Sequence, residues 1–259
     1  MSDRTLAPLG RRLCPVVSHA RHGAYDVISV LDAEGPPPEP GQFYMLAASE
    51  RWGGGADERP FLPRAFSVLR RREDGTLDFL FEDVGPGTRR LCELRAGDGL
   101  WLLGPLGLGF RAPEEGRRAL LVGGGVGIAP LAIWQDVLGD ARVLLGFRDA
   151  RHAEGAALLR DPRVATDDGS VGVRGLVTDL LGEEVDGSCV VYACGPPPML
   201  EAVRALCAAE GVPAQLALES GMACGYGACF GCVVPAREGF VRLCVDGPVL
   251  DAADLELVA

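Results

Sequence analysis

The sequence predicts a multi-domain chain of β plus α/β class: a small antiparallel β-barrel, a parallel-sheet domain, and a short C-terminal module. Three observations predict it. Short apolar runs bounded by Gly, Pro and Asp fill the first part. A strand, a glycine loop and a helix follow one another at the start of the second. Four cysteines, Cys224, Cys229, Cys232 and Cys244, lie close to the end. The divisions fall at 1–112, 113–215 and 216–259.

Composition bounds the rest. At 259 residues and 48% hydrophobic, the chain has material for two modest cores and an appendage, which excludes wholesale disorder. A formal charge of −11 argues against a nucleic-acid partner. The basic residues are all Arg, which removes Lys as a Schiff base or phosphate contact. The N-terminal segment MSDRTLAPLGRRLC has no apolar core of a signal peptide. The longest apolar run, 119–134, is shorter than the ~20 residues of a membrane span and is broken by glycines. A reducing, cytoplasmic setting follows, in which nine cysteines point to metal or redox use rather than a disulfide frame.

In the first part, strands are expected at 24–31, 42–47, 66–70, 77–82 and 100–103, with the glycine-rich stretch 52–57 as a surface loop. Arg64 and Ser67 present a guanidinium and a hydroxyl, suited to a phosphate and a ring. Gly85-Pro86-Gly87-Thr88 opens a helical turn over 89–94, and such a turn can accept an anion. Each pattern alone is usually plain surface or a plain turn.

In the second part, the strand at 120–122 runs into Gly123, Gly124, Gly125 and Gly127, then a helix over 131–138. That geometry brings a pyrophosphate against backbone N–H groups, although Ile128 stands where the dinucleotide fingerprint wants its third glycine. The next strand, 141–146, ends at Arg148-Asp149. Asp149 suits the free 2′-hydroxyl of NAD, whereas Arg148 would tolerate a 2′-phosphate. A third strand, 188–193, ends at Cys194-Gly195-Pro196 and turns into a helix over 200–210 with Ala202, Ala205, Leu206 and Ala209 inward. Ligands collect at the carboxyl ends of such strands, although a lone cysteine is usually a small buried thiol. Cys14, Cys92, Cys189 and Cys207 are read as buried thiols, and His19, His22 and His152 receive no role.

The four C-terminal cysteines form C-x4-C-x2-C with a fourth after a short insert, the plant-type [2Fe–2S] spacing. Interleaved glycines, Gly225 and Gly227 among them, let backbone N–H groups approach the sulfurs. The competing reading is a structural zinc knot, which usually needs two close pairs; here only Cys229 and Cys232 make one.

Together these motifs resemble the ferredoxin–NADP reductase superfamily and, more narrowly, the electron-transfer subunits of type B dihydroorotate dehydrogenase. The resemblance runs from PGQF (40–43) and RAFS (64–67) through GPGT (85–88), GPLGLGF (104–110) and GGGVGIAPL (123–131) to CGPPPM (194–199) and CVDGPV (244–249). It implies FAD, NAD and a [2Fe–2S] cluster as cofactors. By position, Arg64, Ala65, Phe66 and Ser67 would hold the flavin and its phosphates. Leu80, Phe81 and Glu82 would line its ring or adenosine side, and Gly87 and Thr88 would cradle the pyrophosphate. Cys194, with Gly195 and Pro196, would sit beside the nicotinamide. Phe66 replaces the usual tyrosine, and Pro86 stands where relatives often carry Lys, leaving Arg64, backbone N–H groups or Arg89 and Arg90 to meet the diphosphate.

The resemblance further implies a separate FMN-containing subunit that oxidises dihydroorotate, in a hetero-oligomer expected to be a heterotetramer. NAD exchanges two electrons at once and a [2Fe–2S] centre one, so a flavin belongs between them. No base suited to dihydroorotate chemistry is evident in this chain, which is expected to be the electron-transfer half. Two other readings share the motifs in part. One is the small subunit of another NAD(P)H–ferredoxin oxidoreductase or transhydrogenase. The other is a zinc-stabilised, non-enzymatic protein of the same fold, which would leave the glycine loop and the Cys194 motif without a use.

Overall fold

The computed structural model describes residues 10–55 and 59–255. The first residues of the N-terminal segment and the end of the 52–57 loop lie outside the described residues.

The barrel begins earlier than expected. Strand β1 (Arg12–His22) precedes β2 (Tyr25–Leu31), β3 (Phe43–Ala48), β4 (Arg64–Arg71), β5 (Thr76–Glu82), helix α1 (Pro86–Cys92) and β6 (Gly99–Leu106). β1 shows no long apolar run because it carries Pro15, two histidines and two arginines and breaks register between Val16 and Ser18. The strands close in the order β1-β2-β5-β4-β3-β6, with Ile28, Tyr44, Leu46, Phe79 and Leu100 inside. Closure leaves no free sheet edge.

The second half contains β7 (Arg118–Gly124), α2 (Ile128–Leu138), β8 (Arg142–Phe147), α3 (Ala150–Ala153), β9 (Pro162–Thr166), β10 (Val173–Arg174), α4 (Val177–Glu184), β11 (Cys189–Cys194), α5 (Pro197–Glu210) and β12 (Ala214–Ala217). The sheet order is β10-β9-β8-β7-β11-β12-β15, parallel through β12. Leu120, Leu121 and Val122 on its central strand are fully buried, as a strand covered by helices on both faces requires. α2 starts at Ile128, three residues before the expected start, because Pro130 is tolerated in a first helical turn. α5 likewise starts early, with prolines in its first turn. Its buried face is Leu200, Val203, Arg204 and Cys207 rather than the alanine stripe; Arg204 is accommodated by a fork to Glu201 (2.9 and 2.7 Å).

After β12 the chain forms a hairpin, β13 (Val233–Ala236) and β14 (Gly239–Arg242), a turn of helix, α6 (Leu243–Asp246), and β15 (Val249–Asp251). β15 returns antiparallel to β12, pairing Ala217 with Val249. Barrel and sheet share one apolar core, in which Tyr25, Val27, Leu69 and Leu80 pack with Ala129, Ala132, Trp134 and Phe147. That common core holds the crevice between them in register.

Candidate functional site

Two adjoining cavities lie where the carboxyl ends of the parallel strands meet the barrel. The larger, about 690 Å³, falls within the ~300–1,000 Å³ usual for ligand sites. Gly124, Gly125, Gly127, Gly195 and Pro196 line it, as the glycine-loop and Cys-Gly-Pro readings require. Gly127 has a clear reason to be glycine: a Cβ there would lie 2.4 Å from the Cys194 carbonyl oxygen. The two loops meet backbone to backbone. Gly123 stands behind them, wedged against Leu131 and Leu145.

Two expected contacts are displaced. Cys194 does not line the cavity; it is 1% exposed in the core beneath it, and burial, then the nearby Glu219 charge, pushes its thiol well above the usual range. Asp149 does not line it either. It caps α3, accepting from the His152 backbone N–H (3.0 Å) and the His152 ring (Nδ1, 2.6 Å). Those bonds hold its carboxyl below the ordinary Asp range. The aspartate on the cavity wall is instead Asp167, just beyond β9, on a wall that also carries Arg148, His152 and Thr178.

The smaller cavity, about 250 Å³, is lined by Ala65, Phe66, Ser67, Leu80, Phe81, Glu82 and Thr88, all expected at a flavin. Ser220 Oγ, also on its wall, is buried with no hydrogen-bond partner, which a ring with polar edges would satisfy. The residues present therefore fit a flavin ring. Thr88 contributes indirectly: its hydroxyl accepts from the N–H groups of Val84 (2.9 Å) and Gly85 (3.0 Å) and donates to the Gly85 carbonyl (3.1 Å). It shapes the turn. Arg64 and Gly87 stand outside the wall and against each other, a Cβ on Gly87 meeting Arg64 Nε at 2.7 Å, with the guanidinium over Trp52. Arg89 and Arg90 pair with Asp83 (3.7 Å) and Glu93 (3.2 Å).

Glu82, Val126 and Glu219 line both cavities, so the two form one crevice. Glu219 went unread in the sequence, although its place just beyond β12 follows the rule that ligands gather at strand carboxyl ends. Its side chain keeps surface open to the crevice, yet burial of its carboxyl raises its pKa, a shift that water at the crevice partly relieves.

The four cysteines lie on the far side of β3 and β4. Among the described residues no cluster of three or more His, Cys, Asp or Glu is arranged to hold a single metal ion. The sulfurs fall instead into two pairs, Cys224 beside Cys229 and Cys232 beside Cys244, each close enough for one thiol to shift the other. A cluster of two irons bridged by sulfides asks for one pair of thiolates per iron, so this donor set fits [2Fe–2S]. Backbone N–H groups approach the sulfurs, Gly227 to Cys244 (3.1 Å), Cys244 to Cys232 (3.4 Å) and Gly231 to Cys229 (3.4 Å). Burial opposes ionisation of Cys224, but N–H groups of Tyr226, Cys229 and Ala228 outweigh it and bring the thiol down to about 7. Gly225 (φ +80°) lets the loop press on the barrel; a Cβ would meet Met45 Cγ at 2.5 Å. Phe43, Met45 and Leu106 of the barrel form one apolar cluster with Cys232 and Cys244.

A flavin-sized cavity, a dinucleotide-sized cavity and a cysteine module on one barrel define a flavin-dependent, pyridine-nucleotide-linked oxidoreductase with an iron–sulfur appendage. The comparisons agree. Residues 219–256 match the family described as the iron–sulfur cluster binding domain of dihydroorotate dehydrogenase B. The electron transfer subunit of dihydroorotate dehydrogenase B (NAD(+)) from Caldanaerobacter subterraneus subsp. tengcongensis is 37% identical over 247 residues, covering 93% of this chain and 96% of that protein. Its counterpart from Geobacillus thermodenitrificans is 40% identical over 233 residues, covering 85% and 87%. Among solved structures, an NADH-dependent reduced ferredoxin–NADP oxidoreductase superposes with TM-score 0.77 at 25% identity over 96% of this chain and 91% of that one. A Neisseria gonorrhoeae ferredoxin NADP+ reductase with bound FAD and NADP shares the fold (TM-score 0.65, 16% identity, 79% and 93% covered).

The chain belongs to the electron transfer subunits of dihydroorotate dehydrogenase B. It is an oxidoreductase subunit that works with FAD, a [2Fe–2S] cluster and NAD, and it serves a catalytic partner. None of its helices among the described residues is long and apolar enough to cross a membrane.

Proposed function

We propose that NAD occupies the larger cavity, the ring of FAD the smaller, and the cluster the four cysteines, so that electrons cross the subunit along a line from strand tips to barrel to cysteine loop. The observation that carries this reading is the sharing of walls. Val126 and Glu219 belong to both cavities, and Phe43, Ala65, Leu218 and Met222 belong both to the flavin cavity and to the apolar cluster around Cys232 and Cys244. Bound FAD supplies the conversion between two-electron exchange with NAD and one-electron exchange with the cluster.

The chain's own residues prepare that conversion. The Gly127–Cys194 contact brings the glycine loop against the nicotinamide end, and Gly125, with nothing near its Cβ position, leaves backbone open to a pyrophosphate. Cys194, as a neutral buried thiol, serves as packing under that floor. Phe43, Ala65 and Met222 form a dry partition between flavin cavity and sulfurs. The three units expected from the sequence, 1–112 for FAD, 113–215 for NAD and 216–259 for the cluster, describe these roles, with β15 lending itself to the second unit's sheet.

The partner is the FMN-containing subunit that oxidises dihydroorotate, in a heterotetramer, and it docks over the cysteine loop. Tyr226 and Phe230, 52 and 63% exposed, flank the exposed Cys229 in sequence, and Phe240 on the β13–β14 hairpin is 76% exposed; exposed aromatics are the residues from which interface anchors are drawn. Phe240→Asp should abolish co-purification with the partner while leaving NADH-driven dye reduction; an intact complex would move the docking face elsewhere.

The experiment that tests the relay is a visible spectrum of anaerobically purified protein before and after NADH. Flavin bands over broad iron–sulfur absorbance, both bleached by NADH, are expected. Flavin bleaching without the broad absorbance would remove the cluster assignment.

A further inference from the structure

An ion pair that joins the two domains crosses one corner of the larger cavity. Arg148, at the tip of β8, donates Nη2 to Glu82 Oε1 at the end of β5 (2.8 Å) and Nε to His152 Nε2 (2.9 Å). Because Arg148 can only donate, His152 Nε2 accepts, and its ring proton sits on Nδ1, donated to Asp149. The Asp149 carboxylate is thereby engaged beside the corner, while Asp167 opens directly onto the cavity. Beneath them Tyr25, fully buried, lines the same cavity with its hydroxyl unpartnered.

The position of this corner gives it meaning. The glycine loop lies at the tip of β7, and β8 is the adjacent strand on the side away from Gly195. A dinucleotide with its pyrophosphate on that loop and its nicotinamide toward Gly195 brings its adenosine ribose to the tips of β8 and β9, where Arg148 and Asp167 stand. An arginine there would ordinarily welcome a 2′-phosphate through paired N–H donors.

Resting on the assignment of this cavity to NAD, we propose that Glu82 is a specificity-determining residue: by pairing with Arg148 across the domain boundary it withdraws a latent 2′-phosphate ligand, and with Asp167 it turns the corner against NADP. A phosphate monoester brings roughly two negative charges at neutral pH. In this corner it meets one guanidinium with its Nε and Nη2 already engaged, by His152 and Glu82, and the carboxylates of Glu82 and Asp167. The neutral 2′-hydroxyl of NAD meets no such repulsion and can donate to Asp167. The discrimination needs no steric clash, and because Glu82 belongs to the barrel, it exists only when the two domains are closed on each other.

The test is calorimetric titration of the FAD-loaded protein with NAD+ and with NADP+. Glu82→Gln should tighten NADP+ about tenfold relative to NAD+, the effect of freeing one charged hydrogen-bonding partner. Adding Arg148→Ala should erase that gain. Since Glu82 also borders the flavin cavity, Arg148→Ala alone provides a second reading: it should weaken NADP+ more than NAD+. An unchanged NADP+ to NAD+ ratio in either single variant, or a gain that survives loss of Arg148, overturns the proposal. Ala202→Trp, on the exposed α5 wall of the cavity, should block both nucleotides. Persistent NAD+ binding there would instead sink the cavity assignment.

Discussion

The larger cavity draws its walls from β2, β5, the tips of β7, β8, β9 and β11, and the starts of α4 and α5, a span from Tyr25 to Glu219. The cysteine module draws its sulfurs from residues 224–244 alone. One is an assembly of distant charged groups held by a shared core; the other is a local loop whose glycines and backbone N–H groups do most of the shaping. The difference teaches where each is vulnerable. A change in the loop should act locally and leave the cavity intact, whereas a change at the crevice should spread across both domains.

The largest effect tests that separation directly. Cys229→Ser should remove the broad cluster absorbance and all electron delivery through the cluster, yet keep NADH-to-dye activity within about twofold, since no cysteine ligand lines either cavity. Loss of dye activity as well would mean the two regions are not independent. Next comes Gly225→Val. At φ +80° and against Met45, a branched side chain should loosen the loop by about 2–6 kcal/mol, the sum of backbone strain and overpacking, visible as cluster loss at a lower temperature than flavin loss. Coincident losses would break the comparison.

On the crevice side, Thr88→Val removes a hydroxyl that satisfies the turn at Val84 and Gly85. About 1–3 kcal/mol of unmet backbone hydrogen bonding should appear as weaker FAD retention on dilution. Unchanged flavin content would free Thr88 of any role. The smallest effect concerns Glu219. Its folded pKa is raised by crowding, so ionisation opposes folding: wild-type stability is unaffected below the ordinary Glu value and falls as pH rises through it toward the folded value. Glu219→Gln should therefore match wild type near pH 4 and exceed it in thermal midpoint at pH 7 by about 2 °C or less. A difference of opposite sign would place a cation on that carboxyl.

Legibility in the sequence followed the same division. The cysteine spacing and the glycine motifs are local patterns, and the structure brings their residues to the module and the cavity walls. Residues whose role depends on what crosses from another element were harder. Asp149 was read by its distance from the glycine loop, but His152, three residues on, engages it as a helix cap, and the open carboxylate is Asp167 on the next strand. Cys194 ends the right strand but points into the core, because the alternation of a strand buried on both faces carries no sign of which side holds the ligand. Glu82 looks like the last residue of a barrel strand, and nothing near it in sequence announces Arg148.

The return of β15 to β12 has a consequence for how such a chain can be edited. Ala217 and Val249 are opposite each other in a ladder, so everything between them, cysteines included, leaves and re-enters the sheet at one place. The iron–sulfur module is an excursion from a finished architecture. Bridging the gap with a tight turn would convert the excursion into a hairpin and keep the edge strand in place, but would take Leu218, Glu219, Ser220 and Met222 from the flavin-cavity wall. Truncation before residue 249 would instead strip that strand from the sheet and uncover Leu216. Editing between the two strands therefore keeps the sheet whole, whereas editing from the end breaks it.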